Sequence, residues 1–166
     1  MAEKKTAAIK ALLQPRPQLI VSCTGKDGKD NALAVEYACN CSFNPPMIVV
    51  AVTPGRYSHH MIKESGCFVA NMVGAANIEA YRYLGSHSGR DGDKLAACGM
   101  KLLRGDVVNA PILADCPVSI ECTVSGSIMA GSHELFVGKI ERIHANAELV
   151  KEDGSIDWSK ADLLAP

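Results

Sequence analysis

The chain lacks a surplus of either charge: 17 Lys and Arg stand against 18 Asp and Glu across 166 residues, a formal net of -1. That balance leaves no basic track for nucleic acid and no polybasic face for an anionic membrane. Long apolar runs are missing too. The opening MAEKKTAAIKALLQPRP offers neither a secretory core nor a spanning helix before Pro15 and Pro17, which makes the cytoplasm the expected location. No repeat, low-complexity tract or linker interrupts the sequence, so residues 1–166 are expected to form one globular domain.

Several chemical signatures are absent. The seven cysteines include no C-x-x-C pair, and the spacing of Cys116 and Cys122 matches no common zinc ligand set, so reduced thiols and no metal site are expected. Cys39 and Cys41 lie two apart, on one face of a strand, and read as small buried hydrophobes. Neither H-E-x-x-H nor a Ser-His-Asp or Cys-His pattern is present, and the adjacent His59 and His60 would point about 100° apart on a helix. With no G-x-G-x-x-G, a dedicated Rossmann domain is excluded as well. Chemistry in such a chain falls to a bound cofactor, with no catalytic side chain of its own.

What is present is mainly β with short helices. A short helix is expected at Thr6–Leu13, and then QLIVSCT (18–24) and NALAVEYAC (31–39) flank the turn GKDGKD as a hairpin. MIVVAVT (47–53) reads as a strand buried on both faces, and CFVANMV (67–73) as another strand. Between them Ser58 caps a short helix that Gly66 ends; Asn77 caps a second that Gly85 stops; Asp91 caps a third that Gly99 closes. A β piece near Leu102–Val108 precedes two long alternating runs joined at Gly131-Ser132, the pattern of a small barrel with helices inserted between strands.

Two corners carry the groups an anion needs. Ser88, Gly89 and Arg90 bring a hydroxyl, backbone amides and a guanidinium to the start of a helical stretch, with Lys94 one turn on as a point charge. Arg56, Tyr57 and Ser58 sit at a helix entrance directly after the most apolar strand.

In this order DNALAVEYACNCSFNPPMIVVAVTPGRYSHHMIKESGCFVANMV, SGRDGDKLAACGM, APILADCPVSIEC and GSHELFVGKI resemble the flavin reductase-like, FMN-binding split-barrel family, which includes flavoredoxins, from about Pro17 to Trp158. The resemblance implies a split β-barrel that forms a homodimer and holds FMN near the subunit interface. It implies that Tyr37, Ala38, Cys39, Asn40, Cys41 and Ser42 lie beside the flavin ring, with backbone amides near Ala38 to Cys41 on its carbonyl oxygens. Arg56, Tyr57 and Ser58, together with Ser88, Gly89, Arg90 and Lys94, then meet the phosphate. The implied activity is transfer of electrons from NADH or NADPH through the flavin to a small-molecule or protein acceptor. A flavoredoxin-like carrier that serves a partner protein without using a nicotinamide is the alternative; a pyridoxamine-phosphate oxidase relative and a cofactor-free binding protein stand behind it. The chain departs from the family at Ala34, where a hydroxyl is absent, at Ala38 and Cys39, and at its LLAP end, which lacks an aromatic tail.

Overall fold

The glycine and aspartate turn produces the expected hairpin: β1 (Leu19–Thr24) runs antiparallel to β2 (Asp30–Val35) in the computed structural model, which describes residues 2–10 and 13–164. The helix expected over Thr6–Leu13 does not form. Residues 6–10 and 13 have no regular structure, and 11 and 12 lie outside the described residues. Residues 2–10 are all exposed, and a helix this short with nothing to pack on is marginal in water.

The second arm is also shorter than its apolar run. It ends at Val35, and Ala38–Ser42 form a separate strand, β3, that pairs with β4 (Met47–Val52). There follow α1 (Tyr57–Ser65), β5 (Cys67–Met72), α2 (Ile78–Ser86), α3 (Lys94–Ala97), β6 (Leu102–Arg104), β7 (Pro111–Leu113), β8 (Val118–Ala130) and β9 (His133–Ala145). Only Leu102–Arg104 of the expected Leu102–Val108 piece is strand, because the amides of Asp106, Val107 and Val108 turn onto the Glu121 carboxylate instead of a neighbouring strand.

Seven strands make one antiparallel sheet in the order β2-β1-β5-β8-β9-β4-β3, and β6 and β7 form a separate pair. This is a split barrel: β2 and β3 are its two unpaired edges, joined in the chain only by Glu36 and Tyr37. Side chains alternate across β1, so Leu19, Val21 and Cys23 enter the interior with Val50, Phe68 and Phe136, while Ile20 packs outward with Tyr81 and Leu84 of α2. Phe68 fills the interior because Gly138 faces it; a Cβ at Gly138 would come 2.5 Å from Phe68 Cζ. Among the described residues all seven cysteines are free, and no helix is long and apolar enough to cross a membrane.

Helix ends depart from expectation where side chains find tertiary partners. Gly66, at φ 69°, ends α1 as expected, and Gly99, at φ 67°, follows α3. Gly85 does not stop α2, which continues to Ser86; its missing side chain lets the helix approach β2, where a Cβ would lie 3.1 Å from Ala34 Cβ. Asn77 stands at the N-cap of α2 without a capping bond, since its amide accepts from Gly74 N–H and donates to Asp115 O. Asp93 takes the capping role expected of Asp91, accepting from Ala96 N–H at 3.0 Å.

Candidate functional site

Arg56 occupies the N-cap of α1 with no side-chain capping bond; His59 N–H donates to Arg56 O at 3.0 Å, and the Tyr57 and Ser58 amides before it have no acceptor among the described residues. Ser58, expected to cap, is buried as the second residue of the helix instead. Its hydroxyl accepts from Asn31 Nδ2 at 2.7 Å, locking α1 to the start of β2. The Arg56 guanidinium forms no hydrogen bond or ion pair among the described residues.

The segment after α2 crosses in front of this helix entrance. Gly89 passes so close that a Cβ would lie 2.6 Å from both Asn31 Oδ1 and Tyr57 Cδ1. Arg90 then donates from Nη1 to Gly55 O at 3.1 Å, with its guanidinium 5.5 Å from the Tyr57 ring centroid. Ser88 Oγ accepts from Arg90 N–H at 3.2 Å, which tightens the turn. The two corners expected from the sequence therefore meet in one cavity of about 180 Å³, which Arg56, Ser58, Ser88, Gly89, Arg90 and Lys94 line and no carboxylate enters.

Lys94 is not the free point charge its spacing suggests. It is buried, and its ammonium donates to Leu84 O and His87 O at 2.9 and 3.0 Å, tying off the end of α2. Burial, and then the nearby Arg56 charge, lower its pKa to about 8. The adjoining helix α3 has only four residues and begins after Arg90, so the Ser88–Arg90 turn offers its own groups and not a helix end.

From the anion corner the space continues along the split. Leu33, Ala34 and Arg56 are shared with a cavity of about 160 Å³ that reaches Tyr37 and His133, whose rings stand 5.2 Å apart. Tyr37 in turn borders a larger cavity, about 600 Å³, walled by Ala38, Cys39 and Asn40 of the edge strand with Val49, Ala51 and Leu135 behind. The site is thus a trough, cationic at one end and apolar at the other. Cys41 and Ser42 border none of these spaces: the register moves from Asn40↔Ile48 to Ser42↔Met47, and Cys41 is the extra residue of that bulge. Cys39 and Cys41, expected to be buried, are both exposed because β3 is an edge strand; partial desolvation, and then Cys39, raise the Cys41 pKa, which keeps it a thiol.

Residues that sequence patterns did not single out complete the trough. Asn31 holds Ser58, and His133 faces Tyr37 from the far hairpin. Glu36 accepts from Arg16 Nη1 at 2.6 Å and from Tyr81 Oη at 3.3 Å, fastening the segment before β1 over the apolar end. Arg16 Nε is buried there with no partner among the described residues, beside the apolar cavity. An acidic residue between two apolar stretches was the available signal for Glu36.

Comparison with known proteins bears on the family and the fold. The family model described as flavin reductase like domain matches residues 13–160. An uncharacterized protein of Aeropyrum pernix is 27% identical over 138 residues, covering 82% of this chain, which spans about half (52%) of that relative's length. Another, from Archaeoglobus fulgidus, is 30% identical over 142 residues, covering 86% of this chain and 77% of the relative. The FMN reductase (NADH) RutF 1 of Methylorubrum extorquens is 25% identical over 78% of this chain and 61% of its own. Among solved structures, the flavoredoxin of Desulfovibrio vulgaris superposes with a TM-score of 0.90 at 28% identity, covering 99% of this chain and 89% of that one. A Shewanella frigidimarina protein with a split barrel domain, 18% identical, shares the fold with a TM-score of 0.84 over 92% of this chain and 78% of its own.

Proposed function

The chain belongs to the flavin reductase-like family, and from that premise we propose that it holds FMN in the trough and passes electrons from NADH or NADPH to an acceptor. One observation carries the reading: two cationic corners, distant in sequence, merge into a carboxylate-free cavity that opens into an apolar cleft. That donor set fits a molecule with a phosphate at one end and a flat, largely apolar ring at the other. A Cβ at Gly89 would strike Asn31 and Tyr57 in the cradle wall, and Arg16 Nε has no partner among the described residues at the ring end.

Arg56, Arg90, Ser88 and the first amides of α1 would hold the phosphate, with the Lys94 charge behind them. Tyr37, Ala38, Cys39 and Asn40 would flank the ring. As an edge strand β3 keeps alternate amides free of partners, and these would donate to ring carbonyl oxygens, stabilising negative charge there as an oxyanion site does. Bound flavin supplies the hydride acceptor and donor; the protein contributes binding, orientation and this field, with no side chain acting as acid or base.

A flavoredoxin-like carrier role is the second reading, favoured by the superposition on the Desulfovibrio vulgaris flavoredoxin. Two measurements separate the possibilities. Purified protein should quench FMN fluorescence stoichiometrically, and loss of both Ser88 and Arg90 should abolish the quenching; undiminished affinity in that variant rules out the phosphate corner. Anaerobic NADH or NADPH should then bleach the bound flavin quickly, whereas a carrier would not respond. We also propose a homodimer, with exposed Ile128 and Met129 of β8 as part of its apolar contact. A monomeric mass with bound flavin in light scattering would overturn that.

A further inference from the structure

The seven cysteines fall into two groups. Cys23, Cys67, Cys116 and Cys122 are buried and Cys98 is half-buried, and the thiols of Cys23, Cys67, Cys98 and Cys122 each donate to a backbone carbonyl. Burial pushes Cys23, Cys116 and Cys122 up to about 12, so almost no thiolate forms there at neutral pH. Cys39 and Cys41 stand apart from these. Both are exposed, both lie on the edge strand β3, and neither thiol has a hydrogen bond among the described residues.

The bulge gives this pair its geometry. Residues two apart on a regular strand have Cα atoms about 6.4–6.8 Å apart, at the upper end of the span that a disulfide bridges. Cys41 is the extra residue of the bulge, which bends the strand and shortens that span. The bulge also gives the two sulfurs different surroundings. Cys39 borders the apolar cavity beside Tyr37, Ala38 and Asn40, whereas Cys41 borders no part of the trough and meets open solvent. The sulfurs still lie in each other's field, because Cys39 contributes to the raised pKa of Cys41. An inner thiol on the cavity and an outer thiol on the surface are the two ends of a relay.

We propose that Cys39 and Cys41 form a dithiol–disulfide couple that carries electrons from the trough to low-molecular-weight disulfides in solution. The inference rests on the flavin reading of that trough. In the oxidised couple one bond joins the two Sγ atoms. Two electrons from the reduced flavin, with two protons drawn from flavin and solvent, break that bond to give two thiols and leave the flavin oxidised. Cys41, as thiolate, then attacks an external disulfide; the external S–S bond breaks, a mixed disulfide forms, and the first thiol leaves with the proton that Cys41 lost. Cys39 attacks the Cys41 sulfur in turn, releasing the second thiol with its own proton and restoring the internal bond. Because only the thiolate attacks, the raised Cys41 pKa makes the exchange quicken as pH rises.

The first test needs no flavin. Flavin-free protein equilibrated with glutathione disulfide, quenched in acid, alkylated and mapped by mass spectrometry should lose both thiols together, as one internal bond. Cys41→Ser should instead hold a glutathione on Cys39. Thiols that both stay open to alkylation, or that each take a glutathione of their own, overturn the proposal. The second test loads FMN and bleaches the bound flavin anaerobically with light. Protein with the couple oxidised should then return about one equivalent of flavin colour, and protein reduced beforehand less than about a tenth of that. No return from the oxidised protein while FMN stays bound overturns the relay. Should the wild type fail to bind FMN, the flavin reading and the electron route fall together, while an internal bond formed in glutathione still establishes the pair as a site of disulfide exchange.

Discussion

Arg90 reaches across 35 positions of sequence to the Gly55 carbonyl, at 3.1 Å, and so closes the Ser88–Arg90 turn over the entrance of α1. That bond brings two distant segments to the wall of one cavity. The same guanidinium has further donors to offer a phosphate, as does Arg56, which is unpaired among the described residues. Replacing either arginine by alanine should weaken FMN by about 10- to 100-fold, the loss of a charged hydrogen bond of about 1.5–3 kcal/mol, as read by fluorescence titration. An unchanged Kd in both variants would move the phosphate elsewhere.

Gly89→Ala should damage the same corner by bulk alone. The new methyl would stand 2.6 Å from Asn31 Oδ1 and from Tyr57 Cδ1, so the turn must lift off α1. A stability loss of about 1–3 kcal/mol is expected, with weaker FMN binding beside it. Thermal melts and flavin titration of one sample check both.

Flavin affinity should fall as pH rises through about 8, because Lys94, its pKa lowered to about 8 chiefly by burial, loses its charge behind the anion corner there. A bound phosphate favours the charged amine, so the decline runs upward from that pH. Lys94→Gln keeps donors for the Leu84 and His87 carbonyls but removes the charge, and should flatten the profile. A decline that persists in the variant assigns it to another group.

Acid stability should depend on Glu134. Bonds from Ser127, then Lys63, and also His59 hold its carboxyl at about 2, below the ordinary 4.5. A depressed carboxylate pKa stabilises the fold fully above the unfolded value and loses that contribution as pH falls through the folded one. The melting temperature should therefore drop between pH 4.5 and about 2, less steeply in Glu134→Gln. Equal slopes for the two proteins would exclude the clamp.

Gly138→Ala should destabilise the barrel itself by about 1–3 kcal/mol, since a methyl 2.5 Å from Phe68 Cζ overfills a closed interior. A melt unchanged from wild type would mean that Phe68 has room to turn aside.

Much of this was legible in the residues. The strands announced themselves by apolar runs and alternation, α1 by its terminal Gly66, and the residues that line the small cavity by an arginine and a serine in each of two segments. The rest depended on contacts between distant segments. Ser58 has the composition of a cap, yet Asn31 draws it inward. Nothing at Glu36-Tyr37 breaks the chain as Gly or Pro would, so the jump from one edge of the sheet to the other was hidden inside an apolar run. The three residues of β7 are too few to show a period, and the expected helix at Thr6–Leu13 had local propensity without a surface to rest on. That the corners merge follows from Gly89 meeting Tyr57 and Asn31, which no local pattern encodes.

The two-residue link between β2 and β3 carries a consequence for the trough. Laid flat, the first and last of seven strands would be about 29 Å apart at about 4.8 Å per step, while two linking residues span at most about 11 Å. The sheet must roll up until its margins almost meet, like a cask pinned at one rim and short of a stave along its side. Whatever lies in that slit touches both margins at once, so filling it and bracing the cask are a single event: the protein should gain rigidity from its ligand along the whole slit, not only at the groups that grip it.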